Sequence, residues 1–264
     1  MINTEQLNIE ASGHDNRDLI IESINNPRFE FPKELDLRDD MPKVWDQGVD
    51  GPCSAYAVSA IKSWQEYNDY GNKEPFSRFF VYNLRKNYPA KGMTPRDTMK
   101  ILHKYGIPYR SSFKRRWNEV SEIPQEVLTE ALNHKILGYA RIMTIDGLKK
   151  SIYKNGPAYI AMPVYNEGDE FWKAQHGQRP IGGHAAVIVG YNQHGFIIRN
   201  SWGTSWADDG HSVYKYEDFG MHYEIWTTID DKSSEAVIPA KELIRERKKA
   251  NRRSIIEIIK SLFR

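Results

Sequence analysis

Hydrophobic residues recur with helical spacing in the first half of the chain. Ala57, Ile61 and Trp64 follow one another at +4 and +3, which predicts a helix over residues 52–70 with one buried face. Pro52 suits the first turn of this helix, where a missing N–H costs nothing. Two further apolar stripes predict helices over residues 76–86 and 97–105.

From about residue 136 the pattern changes to short apolar runs bounded by Gly or Pro. Residues 158–162 and 185–191 have the length and composition of buried strands. A turn over 192–195 joins the second run to 196–199, which predicts a hairpin. A helical first half and a β-rich second half predict an α+β protein with two lobes.

The chain divides into four predicted segments. A polar, Asn-rich lead-in covers residues 1–30 and is expected to be loosely ordered, the helical lobe covers 31–135, the β-rich lobe covers 136–235, and a basic amphipathic helix covers 236–264. Of the net charge of +2, residues 241–264 carry +6 and the remainder −4. The tail either docks on its own body or contacts a partner protein, an acidic surface or a membrane. Nucleic acid is not favoured, because stacking aromatic groups are nearly absent from it.

Composition limits the cellular compartment that we expect for the protein and the metals or cofactors that it could use. The single cysteine excludes an intramolecular disulfide, and from the sequence we expect neither a secretory signal nor a segment that spans a bilayer. These features predict a cytoplasmic protein in a reducing compartment. Metal-ligand spacing and phosphate-binding glycine loops are absent, so we expect neither a metal nor a cofactor.

The candidate chemistry centres on that one cysteine. Cys53 ends the run Gln47-Gly-Val-Asp-Gly-Pro-Cys53, while His184 and Asn200 follow in Gly-Gly-His and Arg-Asn-Ser-Trp-Gly contexts. A helix start favours the thiolate, and the hairpin can hold the other two residues near one end. This order predicts that Cys53 is a nucleophile, that His184 is a general base and acid, and that Asn200 orients the imidazole. Gln47 lies where its amide can donate to a developing oxyanion.

Over roughly residues 33–230, these segments resemble the papain-like cysteine peptidases. The resemblance implies a two-lobed fold, a helical lobe and an antiparallel, barrel-like β lobe, with the active site in the cleft between them. It implies that Cys53, His184, Asn200 and Gln47 are catalytic and that Trp202 shields the His–Asn hydrogen bond. The short, cysteine-poor form looks like bacterial, archaeal and bacteriophage members. Ser54 departs from the family pattern, because it replaces the usual aromatic residue after the nucleophile.

The same resemblance suggests where a polypeptide substrate binds. Gly92 looks like the glycine that pairs with the substrate backbone, and Gly183 adjoins the catalytic histidine. The residues that fall where the family lines its main specificity pocket are Met93, Thr94, Ala161 and Ala185. All four are small or apolar, which predicts a preference for an aliphatic or aromatic side chain two positions before the cleaved bond.

Three further hypotheses remain open at this point. In the first hypothesis, the protein is a structural or assembly protein, for example virion-associated, that retains the peptidase fold with incidental or lost proteolysis. In the second, the same three residues catalyse deamidation or transpeptidation. In the third, which is compatible with either of the others, residues 1–30 lie across the cleft as a brief inhibitory segment.

Overall fold

The structure, a computed structural model, describes residues 7, 9–23, 30–48, 52–88, 90–114 and 123–230. The predicted helix over residues 236–264 lies outside the described residues, as do parts of the lead-in.

A long central helix carries the predicted nucleophile. This helix, α1 (Cys53–Tyr70), ends at Gly71, whose positive φ of 69° allows the left-handed conformation that terminates it. Small side chains along its first turns let it pack closely, and its residues from 53 to 65 are all buried. The other helices are α2 (Phe80–Asn83), α3 (Pro95–Tyr105), α4 (Gln125–Leu132) and α5 (Ile145–Asn155).

The second lobe is built on one antiparallel sheet. Its strands are β1 (Leu35–Asp36), β2 (Gly138–Arg141), β3 (Ala158–Val164), β4 (Gly182–Tyr191), β5 (Gly195–Arg199), β6 (His211–Lys215) and β7 (Glu224–Ile229). The strand order is β2-β7-β3-β4-β5-β6, with β1 paired to β4. The α+β class is confirmed. The sheet, however, remains open rather than closing like a barrel, because no pairing between the described parts of β2 and β6 joins its two edges.

Alternation along the strands divides the core into two layers. Tyr159 and Ala161 of β3 share a hydrophobic cluster with α1, whereas Ile160 between them belongs to a second cluster that includes Leu148 of α5. Successive side chains on a strand point to opposite faces of the sheet, so one face meets the helical lobe and the other meets α5.

Two predicted elements differ from the structure. Only 80–83 of the predicted 76–86 helix is helical, because Phe76 pairs with Tyr109 in an isolated antiparallel bridge. The hydroxyl of Ser77 then accepts hydrogen bonds from the N–H groups of Phe79 and Phe80 and starts the short helix.

The described part of the lead-in is packed rather than loosely ordered. Leu7, Ile9 and Ile21 are buried, with 7%, 4% and 2% of their surface exposed. Glu22 accepts hydrogen bonds from the backbone of residues 143 and 144, and Asp18 pairs with Arg96. A few apolar residues within a polar segment are therefore enough to anchor it.

Candidate active site

Cys53 is the first residue of α1 and has no exposed surface. Pro52 caps the helix in an extended conformation, and its carbonyl accepts from the N–H groups of Ala55 and Tyr56 at 3.0 and 3.1 Å. The first-turn N–H groups and the helix dipole create a positive potential at this end of a helix. The thiol therefore stands where a negative charge on sulfur is stabilised.

His184 and Asn200 are hydrogen-bonded to each other. The distance from His184 Nε2 to Asn200 Oδ1 is 2.7 Å, and both side chains are buried. His184 lies on β4 opposite Met162, while Asn200 directly follows β5, the strand that returns along β4. The hairpin predicted from the sequence therefore brings these two residues together, as expected.

This hydrogen bond selects the tautomer of the imidazole. Because the amide oxygen of Asn200 can only accept, Nε2 of His184 carries the proton and Nδ1 is the basic nitrogen. Nδ1 forms no hydrogen bond to a described residue. The N–H of Ser201 also donates to Asn200 Oδ1, at 2.7 Å, which holds the amide in this orientation.

Burial keeps the imidazole neutral in this state of the protein. Desolvation lowers the pKa of His184 to about 4, and the hydrogen bond to Asn200 opposes the shift only in part. Trp202 lies over the ring, with centroids 4.6 Å apart, and Phe171 meets it edge-on at 5.7 Å. Trp202, which was predicted to shield the His–Asn hydrogen bond, therefore lies against the imidazole.

Gln47 is held beside the same segment. Its Oε1 accepts from the hydroxyl of Ser201 at 2.5 Å, and its backbone N–H donates to the carbonyl of Ser201 at 2.8 Å. Because the amide oxygen is engaged by Ser201, the orientation of the side-chain amide is fixed. One residue, Ser201, therefore ties the oxyanion candidate to the Asn200 segment.

A buried polar group that the sequence reasoning missed lies next to the nucleophile. The hydroxyl of Ser54 is 2.6 Å from that of Thr98 and 2.9 Å from that of Tyr159. Burial raises the pKa of Tyr159 well above its usual value, so the phenol stays neutral. Ser54 departs from the family pattern, and its hydroxyl satisfies a tyrosine that reaches across from β3.

The predicted substrate-binding residues lie in three different settings. Met93, Ala161 and Ala185 are buried in the hydrophobic cluster that contains Cys53. Thr94 instead caps α3, where its hydroxyl accepts from the N–H of Asp97 at 3.2 Å. Gly92, at φ 95°, adopts a conformation that side chains rarely tolerate.

The lead-in crosses these predicted substrate-binding residues. The N–H of Ile9 donates to the carbonyl of Gly183 at 3.1 Å, and that of Glu10 donates to the carbonyl of Met93 at 3.3 Å. Ile9 and Met93 form a parallel bridge. A Cβ added at Gly183 would lie 2.0 Å from the carbonyl oxygen of Ile9, so glycine is needed for this close approach.

The described residues do not suggest a metal site or a membrane span. No group of three or more His, Cys, Asp or Glu side chains among them is arranged to hold a metal ion. None of the helices in this part of the chain has the length and apolar character that a bilayer crossing requires.

Comparison with known proteins identifies the family. The model of the papain family of cysteine proteases matches residues 31–228. An uncharacterized peptidase C1-like protein of Acanthamoeba polyphaga mimivirus is 26% identical over 236 residues, covering 75% of this chain and 73% of that protein. Papain from Carica papaya is 24% identical, covering 72% of this chain and 56% of papain.

Solved structures give the same result. Xylellain, a cysteine protease from Xylella fastidiosa, superposes with a TM-score of 0.72 at 25% identity, covering 87% of this chain and 98% of xylellain. The chain belongs to the papain family of cysteine proteases and has its two-lobed fold. It is a papain-like cysteine peptidase, a class of enzyme that acts on polypeptides.

Proposed function

We propose that the protein is an endopeptidase that hydrolyses peptide bonds through a thioester on Cys53, with His184 and Asn200 completing the triad. The observation that carries this proposal is the buried 2.7 Å hydrogen bond between His184 and Asn200, which makes Nδ1 the basic nitrogen. The position of Cys53 at the start of α1 supports it, because that helix end stabilises a thiolate.

The reaction follows from these roles. Nδ1 of His184 takes the thiol proton, and the sulfur of Cys53 attacks the carbonyl carbon of the scissile bond. The resulting imidazolium donates its proton to the leaving amine, which departs as the C–N bond breaks and leaves an acyl thioester. His184 then removes a proton from water, whose oxygen attacks the thioester, and the acid product leaves as the thiol is restored.

Gln47 supplies the stabilisation of the oxyanion in this proposal. Both tetrahedral intermediates place a negative charge on the former carbonyl oxygen, and a fixed amide donor lowers their energy without having to reorganise. Support comes from the two contacts of Gln47 with Ser201, which hold its backbone and its amide oxygen. The backbone N–H of Cys53 is the second donor.

In the described state the lead-in covers the predicted substrate-binding residues, so the proposed enzyme is latent in this state. Residues 9 and 10 occupy backbone groups of Gly183 and Met93, the positions that a substrate needs. In this covered state His184 has no exposed surface, and burial lowers its pKa to about 4. Displacement of the lead-in would admit substrate and water together, and it would favour the charged thiolate–imidazolium pair. A reducing compartment such as the cytoplasm would keep the single thiol competent.

An activity-based label tests the proposal. Once the substitution Ile9→Asp displaces the lead-in, a peptidyl epoxide or vinyl sulfone should modify the protein once, at Cys53, and a fluorogenic peptide should be hydrolysed. Cys53→Ala should abolish both, and Asn192→Ala at the far end of the same hairpin should abolish neither. Absence of labelling and turnover after removal of the lead-in would favour an assembly role for the fold. Mass spectrometry that showed amine transfer or deamidation in place of cleavage would favour the alternative acyl chemistry.

A further inference from the structure

The hydroxyl of Ser54 connects the start of α1 to both lobes. Ser54 directly follows Cys53 and is the second residue of α1. Its hydroxyl lies 2.6 Å from that of Thr98 on α3 and 2.9 Å from that of Tyr159 on β3, and all three side chains are fully buried. The α3 helix belongs to the helical lobe and β3 belongs to the sheet. One side chain next to the nucleophile therefore contacts both halves of the molecule.

The hydrogen bonds among these three hydroxyls can run in only one direction. Thr98 Oγ1 donates to the carbonyl of Thr94 at 3.1 Å, and a hydroxyl has a single proton to donate. Thr98 therefore accepts from Ser54, and Ser54 in turn accepts from Tyr159. Burial and then the charge of Cys53 raise the pKa of Tyr159 well above its usual value, so the phenol keeps the proton that this order requires.

The contact between Ser54 and Tyr159 is a short path between the two reacting groups. Ser54 shares a planar peptide bond with Cys53, so a fixed Ser54 restricts the backbone from which the sulfur projects. Tyr159 lies opposite Val187 of β4, and His184 precedes Val187 by three residues on the same strand. A displacement of α1 from β3 would therefore also displace the thiol from the imidazole.

We propose that Ser54 is a positioning residue that keeps the thiol of Cys53 in place relative to His184. Its hydroxyl does so because Tyr159 and Thr98 hold it from the two lobes. This inference rests on the proposed peptidase function. Attraction between a thiolate and an imidazolium falls with their separation, so a displaced helix end would lower the fraction of activated thiolate.

Two substitutions that break the same contact separate positioning from core packing. Tyr159→Phe leaves only an acceptor unpaired, because the proton of Ser54 still goes to Thr98. Ser54→Ala takes the acceptor away from a buried phenol, which costs more stability. Thiol reactivity should therefore fall to the same extent in both variants, while the free energy of unfolding falls more in Ser54→Ala.

The test measures alkylation of Cys53 by a neutral haloacetamide at pH 6, in the full chain with the substitution Ile9→Asp. At this pH little of an ordinary thiol is ionised, so the rate reports the thiolate that the imidazole stabilises. Ser54→Ala and Tyr159→Phe should each lower this rate about two- to tenfold, the range that one buried neutral hydrogen bond supports. The double variant should lower it no further than Ser54→Ala alone. Thr98→Ser retains the hydroxyl and should keep the rate, whereas Thr98→Val should lower it.

Ser59→Ala is the matched control on the same helix. Ser59 is also fully buried, and its hydroxyl donates to the carbonyl of Phe76 at 2.7 Å, within the helical lobe. This substitution should lower the free energy of unfolding in urea and leave the alkylation rate unchanged, because the contact does not join α1 to the sheet. Hydrolysis of a fluorogenic peptide gives a second readout: Tyr159→Phe should lower kcat with little change in KM.

An unchanged alkylation rate in Tyr159→Phe would overturn the inference, and so would losses of rate that follow the loss of stability across all the serine and tyrosine variants. A loss confined to KM would also contradict it. Failure of the proposed function looks different. If Ile9→Asp reacts no faster folded than unfolded in urea, the thiol is not activated, and the proposed function and the inference fail together. A faster folded state that is insensitive to substitution of Ser54 and Tyr159 would contradict the positioning role and leave the peptidase function intact.

Discussion

Replacing Asn200 with alanine removes the group that orients the imidazole. Asn200 Oδ1 accepts from His184 Nε2 and from the N–H of Ser201, both at 2.7 Å. Each buried donor that loses its acceptor costs about 1–3 kcal/mol. If the His184 contact alone is lost in the transition state, this range corresponds to a fall in kcat/KM of about 5- to 150-fold.

The same hairpin offers a matched control. Asn192 lies at the opposite end, and its side-chain oxygen also accepts two hydrogen bonds, in this case both from backbone N–H groups, of His194 at 2.8 Å and of Gly195 at 3.3 Å. Asn192→Ala should lower the free energy of unfolding by about 1 kcal/mol, since these bonds are more exposed, and should leave kcat/KM unchanged.

The assay compares both variants by urea denaturation and by hydrolysis of one fluorogenic peptide. Asn200→Ala should lower kcat with little effect on KM, because misorientation of the imidazole affects the chemical step. Equal losses of kcat/KM in the two variants would show that the Asn200 effect is only structural. An unchanged kcat/KM in Asn200→Ala would refute the assigned role outright.

Three further predictions concern neighbouring groups. Gln47→Ala should lower kcat about 100- to 1000-fold in steady-state kinetics, the loss typical of one oxyanion donor; an effect confined to KM would contradict this role. Because burial lowers the pKa of His184 to about 4, protonation opposes folding, so the free energy of unfolding should fall by about 2 kcal/mol as the pH drops from 7 to 5. The pKa of His222 is also lowered to about 4, so His222 contributes to the same fall in stability between pH 7 and 5. The contribution of His184 is therefore the difference between wild type and His184→Gln in denaturant titrations, and an equal pH dependence of the unfolding free energy in the two proteins would contradict it. Ile9→Asp removes about 2 kcal/mol of apolar burial from the lead-in and should raise the peptidase rate up to about thirtyfold, whereas an unchanged rate would exclude latency.

The elements that local patterns specify were predictable from the sequence. The apolar spacing of Ala57, Ile61 and Trp64 predicts α1, which spans Cys53–Tyr70. The turn after Tyr191 predicts the β4–β5 hairpin, and this hairpin accounts for the hydrogen bond between His184 and Asn200. Local periodicity and turn chemistry act over a few residues, so they can be read without knowledge of the fold.

Contacts between distant segments were not predictable in the same way. Ser54 looks like a departure from the family pattern until Tyr159, 105 residues later, is seen to reach its hydroxyl. Glu224 lies in a short strand with no motif of its own, and only the register of β7 against β3 places it opposite Ala161, one of the predicted substrate-binding residues. The buried position of Ile9 depends on a surface that exists only after both lobes have folded.

The rate at which Cys53 is alkylated at pH 6 tests the central claim most directly. As the only cysteine, Cys53 reports on itself without ambiguity, and a small neutral haloacetamide reaches it once Ile9→Asp has opened the cleft. The account predicts that this folded variant reacts faster than the same protein unfolded in urea, and that His184→Gln removes the advantage. A folded-state rate equal to or below the unfolded rate, or one insensitive to His184→Gln, would contradict the claim that the imidazole activates the thiol.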